Sequence, residues 1–222
     1  MERCVFDHLV VTAPALEVGA DFVERLLGVA PEAGGEHPRM GTHNLLWRLD
    51  GLTFLEVIAP DPRAPAPTRA RWFGLDGLDP AASPTLSAWV ARTSDIHAAA
   101  ARSPEELGAV EPITRGALEW LITVADDGAL PLGGAAPVLI EWQTPDHPAS
   151  KLPDRGLSLA SLEIFHPQPG RVEQVITALD VAAPCSVVRA SAGRGVELVA
   201  HIDTPRGRAV LATASPSTSN NE

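Results

Sequence analysis

Two stretches, "FLEVIAPDP" at residues 54–62 and "LIEWQTPDH" at residues 139–147, decide how this chain is read. In each, a Glu sits inside an apolar, strand-like run and a Pro-Asp pair follows. An ionised carboxylate held away from water is costly unless it is paired or bound to a metal. Glu56 and Glu141 both need an explanation, and their matched surroundings point to a shared one.

Working outward from the first stretch, "CVFDHLVVTA" (4–13) reads as a strand buried on both faces. "ALEVGADFVERLLG" (15–28) has helical spacing and Gly28 as its stop. "GGEHPRM" (34–40) is a short edge strand and "THNLLWRL" (42–49) a further strand. Asp50-Gly51 is a hairpin signal that leads into the strand 52–60. The order is β-α-β-β-β. A Pro-rich linker, 61–84, follows.

The second stretch closes the same order again. Strand 85–95 precedes helix 96–104, then "VEPITRG", "LEWLITVADD" and "APVLIEWQTP" (136–145) give three strands. Placing Val10 over Val90 and Glu56 over Glu141 sets the two rounds in one register, one unit used twice. The predicted organisation is a first module at 1–60, the linker, a second module at 85–150, and a C-terminal α/β extension at 151–214. In that extension strand 157–167, helix 170–181 and a meander read as a degenerate third round. The polar stretch 215–222 reads as a disordered tail.

The bulk numbers narrow the function. The chain has 222 residues, 45% of them hydrophobic and 20% charged, which is ordinary for a globular protein. A net charge of −11 argues against nucleic acid and against an anionic membrane surface. No apolar run is long enough to span a bilayer, and the start "MERCVFDHLVV" lacks the pattern of a secretory signal. Cys4 and Cys185 read as reduced thiols, and the expected location is cytoplasmic.

A paired βαβββ unit with a Glu near the end of each fourth strand resembles the vicinal oxygen chelate superfamily. That superfamily includes glyoxalase I, extradiol dioxygenases and bleomycin-binding proteins. Within it the chain most resembles the glyoxalase-like domain family, through "DHLVV", "GGEHPRMGTHNLLWRL" (34–49), "FLEVIAP" (54–60) and "LIEWQTPDHP" (139–148). The implied fold is α+β, with paired modules forming a curved mixed sheet around a cleft. The implied metal ligands are His8, Glu56 and Glu141. The fourth ligand position falls on Ala88 in this register, and an Ala ligates nothing.

Three such ligands with open positions suit a divalent ion of the Fe, Mn, Ni or Zn type. Without a metal, two convergent carboxylates would raise one pKa and make that group a general base. Both routes put Glu56 and Glu141 at the catalytic centre. Each has an alternative as a buried ion pair, with Arg39 or Arg48 as partners for Glu56. The resemblance places His37 and Asn44 near the cleft, and strand alternation prevents His43 and Asn44 from both pointing inward, which favours Asn44. Trp142 is a candidate cleft wall. His147 is a candidate ligand or a turn cap.

The expected activity is that of a metal-dependent lyase, isomerase or dioxygenase acting on a small oxygenated metabolite. The alternative is a metal-free protein that sequesters a small molecule, as bleomycin-binding proteins do. The cleft closes either within one chain or across a homodimer.

Overall fold

The computed structural model describes residues 3–214. The expected disordered tail lies outside them. The first module runs β1 (Val5–Thr12), α1 (Leu16–Leu27), β2 (Glu32–His37), β3 (Thr42–Arg48) and β4 (Phe54–Pro60). The second runs β5 (Thr85–Arg92), α2 (Ile96–Arg102), β6 (Ala109–Arg115), β7 (Leu118–Val124) and β8 (Val138–Trp142). All eight strands share one mixed sheet, ordered β2-β3-β4-β1-β5-β8-β7-β6. The sheet curls until its end strands β2 and β6 meet, with the Arg115 side chain lying over Gly35.

The two modules join across β1 and β5, and this antiparallel pairing carries the symmetry in its register. Leu9 faces Trp89 at the centre, His8 faces Val90 where Val10 faces Ala88, and Phe6 faces Ala91 where Val11 faces Leu86. Each pair maps onto its counterpart when Val10 is laid over Val90, as the repeat predicts. Both strands bulge at matched places: Asp7 is the extra residue in β1 and Ser87 in β5. A bulge interrupts the alternation of side chains and re-aims the residue it adds.

Alternation divides the sheet's two faces. Leu9, Val11, Leu55, Val57, Trp89 and Leu139 face outward into the main core. Val10, Ile58, Ala88, Val90 and Ile140 face the concave side. The outer core is completed by β9 (Ser158–His166), α3 (Pro169–Ala178), β10 (Cys185–Arg189), β11 (Glu197–Thr204) and β12 (Gly207–Ala212). These repeat the βαβββ order with different wiring. β9 pairs parallel with β10 and antiparallel with β11, giving the sheet β10-β9-β11-β12. Only β11 and β12 form the expected meander.

The Pro-rich connection 61–84 is more than a spacer. A 3₁₀ segment, Trp72–Gly77, turns where Phe73 and Gly74 both adopt left-handed backbone, with φ of 57° and 66°. That conformation is ordinary for Gly and strained for Phe. It buries Trp72, Phe73 and Leu75 against the concave side of the sheet.

Candidate active site

The concave side holds a cavity with a polar floor and aromatic walls. His8, His37, Asn44, Glu56 and Arg115 supply the polar groups, and Phe54, Trp72, Phe73, Trp120 and Trp142 supply most of the wall. His8 lies on β1, Asn44 on β3 and Glu56 on β4, all within the first module. Phe54 and Glu56 are two apart on β4 and share a face, while Leu55 and Val57 turn to the outer core.

Each polar group is fixed by another. Asn44 Nδ2 donates to Glu56 Oε1 at 2.5 Å. Asn44 Oδ1 accepts from Gly35 N at 2.8 Å and from an Arg115 guanidinium nitrogen at 2.9 Å. Two glycines open the space for this. A Cβ on Gly34 would lie 2.0 Å from Asn44 Oδ1, and one on Gly35 would lie 2.8 Å from Arg115 Cδ. The "GG" of β2 is therefore a requirement of the site.

His8 is held from behind. Its Nδ1 donates to Asp7 Oδ1 at 2.6 Å, and its ring stacks on Phe54 with centroids 4.3 Å apart. Its Nε2 faces Glu56 Oε2 at 3.7 Å. Asp7 is fully buried yet well supplied with donors. His147 Nε2 donates at 3.0 Å, Trp142 Nε1 at 3.1 Å and Arg92 at 3.4 Å. Burial pushes its carboxyl up, but the hydrogen bonds from His147 and His8 outweigh this and hold it well below the usual range. Asp7 stays ionised and fixes the tautomer of His8.

His37 lines the cavity beside Arg115. Its Nδ1 lies 3.1 Å from Thr42 Oγ1, and its Nε2 lies 3.3 Å from the same guanidinium nitrogen that reaches Asn44. Burial first, then the charges of Arg115 and His43, push its pKa down to about 3. The ring is neutral, so Nε2 accepts from Arg115 and Nδ1 donates to Thr42.

Glu141 does not join this group. In β1–β4 pairing Val10 faces Glu56, whereas in β5–β8 pairing Val90 faces Val138. The counterpart of Glu56 is thus Val138. Glu141 lies three residues on, an odd number, so its side chain points to the opposite face. There its Oε2 accepts from Ile96 N at 2.8 Å, at the start of α2, and its Oε1 accepts from Gln143 Nε2 at 2.6 Å. Its reason for sitting in an apolar strand is the unpaired backbone donors of a helix start. The expected convergence of Glu56 with Glu141 is corrected accordingly.

The other expected residues fall in layers. His37, Asn44 and Trp142 line the cavity. His147 stands behind it, where its Nδ1 accepts from Ala149 N at 3.2 Å and caps a turn while its Nε2 holds Asp7. Neither Arg39 nor Arg48 pairs with Glu56. Arg39 bonds Glu111 and Arg48 reaches the Leu152 carbonyl.

The residues present do not fit a metal centre closed by protein side chains. The second module has Ala88 at the place His8 holds in the first, and Val138 at the place Glu56 holds. Among the described residues no group of three His, Cys, Asp or Glu is arranged to hold an ion. No helix among the described residues is long and apolar enough to cross a membrane.

Sequence reasoning missed Asp7, Arg115, Trp72, Phe73 and Trp120. A signal existed for Asp7, a second ionisable residue beside His8 in a buried strand, and for the aromatic pair Trp72-Phe73 inside a polar linker. None existed for Arg115, which reaches the site only because the sheet curls.

A family model and two solved structures agree with this architecture. The family described as "Glyoxalase-like domain" matches residues 6–179. A hypothetical protein from Staphylococcus aureus superposes with a TM-score of 0.57 at 13% identity, covering 94% of this chain and 84% of that one. A mutant 4-hydroxymandelate synthase from Streptomyces coelicolor gives 0.50 at 15%, covering 96% of this chain and 63% of that one. A Streptomyces coelicolor methylmalonyl-CoA epimerase bound to 2-nitronate-propionyl-CoA gives 0.42 at 15%, covering 65% and 100%. No curated protein matches the chain.

Proposed function

The chain belongs to the glyoxalase-like domain family, and from that premise we propose that it is an enzyme of the isomerase or lyase type that moves a proton on a small oxygenated metabolite. One observation carries the reading: His8 Nε2 and Glu56 Oε2 face each other at 3.7 Å on the floor of a buried cavity. Both are basic atoms, and each is oriented by a partner of its own, Asp7 or Asn44. A pair of this kind takes a proton from a carbon next to a carbonyl at one atom and returns it from the other. The Asp7 carboxylate stabilises His8 when its ring takes up the proton. The aromatic walls exclude water while the proton is held.

The test is exchange in D₂O, read by ¹H NMR, with hydroxyacetone, dihydroxyacetone, pyruvate and 2-oxobutyrate as probes. The wild type should wash deuterium into the carbon next to the carbonyl of at least one probe, and Glu56→Gln should stop it. Binding of probes with no exchange above the buffer rate would favour the sequestration alternative.

A second reading keeps the expected divalent metal and the dioxygenase outcome. His8 Nε2 and Glu56 Oε2 would then be its only two protein ligands, as their mutual approach allows. Stoichiometric metal that is lost in both His8→Ala and Glu56→Gln would favour that reading.

A further inference from the structure

The geometry points to a small organic carboxylate as the ligand of this cavity, held by Arg115 with the indole N–H of Trp72. This rests on the proton-transfer reading for what happens to the ligand, and not for how the ligand is held.

Arg115 enters at the curl of the sheet, half-buried, with its guanidinium 5.9 Å from the centre of the Trp120 ring. One of its terminal nitrogens serves Asn44 and His37, and both of those contacts are neutral. Among the described residues it has no ion pair. Its remaining N–H groups, which form a fork suited to two carboxylate oxygens, lack protein acceptors. Burial lowers its pKa, while the charge of Glu56 raises it. The cation is therefore partly desolvated and keeps donors that no protein group takes up.

Trp72 supplies an independent observation. It is 4% exposed and lines the same cavity, and its Nε1–H is buried with no hydrogen-bond partner. Buried indole donors usually find an acceptor. A ligand oxygen would satisfy Trp72 as well as Arg115. The wall around them includes Leu46, Phe54, Ile122 and Ile140, which offer a carboxylate's apolar body nothing polar to compete with. Glu56 carries like charge, so the ligand's carboxylate belongs at the Arg115 end, with its reactive carbon toward Glu56 and His8. Neutral His37 adds no second positive charge, which matches a monoanion.

The test compares acids with their amides, propionate against propionamide and phenylacetate against phenylacetamide. Binding is read from the fluorescence of the tryptophans that line the cavity. The wild type should bind at least one acid about 10- to 100-fold more tightly than its amide, the range of a charged hydrogen-bonded contact. Arg115→Met should erase that preference, and Arg115→Lys should keep part of it. Trp72→Phe, which keeps the ring and drops the donor, should weaken the acid alone. Glu56→Gln should bind the acid as well or better, since a like charge is gone, even though it ends exchange. Equal binding of acid and amide, or binding of neither acid, would overturn the assignment using wild-type protein alone. Deuterium exchange confined to hydroxyacetone and dihydroxyacetone would uphold the proton-transfer reading and overturn this one.

Discussion

The two modules are built alike and equipped differently. Asp7, His8, Asn44 and Glu56 in the first have Ser87, Ala88, Ile122 and Val138 as counterparts in the second, by the register of β1 with β5, β3 with β4 and β7 with β8. Even the bulge is repeated, with Asp7 on one side and Ser87 on the other. The backbone of a symmetric site exists twice, while its polar side chains exist once. The second module gives Trp120, Trp142 and Arg115 instead, which are a wall and a cation. Duplication supplied the cup, and the two copies then divided the work of lining it. An acid-base pair needs two groups with different partners, and one polar half provides them.

The comparison is most easily broken at Glu56. Replacing it with Gln should cut proton exchange by about 10²- to 10⁴-fold, the usual contribution of a general acid-base group. Metal-free stability should change little, because the amide still meets Asn44. A Glu56→Gln variant that exchanges as fast as wild type would remove the functional difference between the halves.

His37 should control acid stability. Its folded pKa of about 3 lies below the usual 6.5, so the unfolded chain binds its proton first. Its contribution is complete above pH 6.5 and is lost as pH falls from 6.5 toward 3. Asp7, whose pKa is also lowered, adds a further loss below its ordinary value of 3.8. Chemical melts across this range should show the wild type losing a few kcal/mol. His37→Gln should flatten the upper part of that slope and leave the part below pH 3.8.

A smaller effect is expected at Gly34. Gly34→Ala drives a Cβ into Asn44 and should cost about 1–3 kcal/mol, with exchange falling as Asn44 releases Glu56. Gly77→Ala, where nothing lies within 4 Å, is the control and should be silent.

The smallest effect belongs to Glu141. Glu141→Gln keeps an acceptor for the start of α2 and should cost at most about 1 kcal/mol in a denaturant melt.

The fold was legible because its signals are local. Gly28 ends α1, Asp50-Gly51 turns β3 into β4, and the order of elements recurs at a spacing set by Val10 and Val90. The site was legible where a residue sits in the first module: His8, His37, Asn44 and Glu56 all reach the cavity. Glu141 was not legible, because similar words stand in different registers. "LEV" and "IEW" look alike, but side chains on a strand alternate, and a three-residue offset sends Glu141 through the sheet to a helix start. Arg115 and Trp72 were hidden for another reason. One meets the site through the curl of an eight-stranded sheet and the other through a left-handed Phe in a Pro-rich connection, and neither leaves a periodic trace.

The central claim is that one half of the duplicated cup carries the chemistry. It is tested most directly by deuterium wash-in from D₂O, measured side by side for the wild type, Glu56→Gln and Glu141→Gln on whichever probe the wild type exchanges fastest. The account predicts that Glu56→Gln falls to the buffer rate while Glu141→Gln keeps the wild-type rate. Loss of exchange in Glu141→Gln with its fold intact, or its survival in Glu56→Gln, would contradict it.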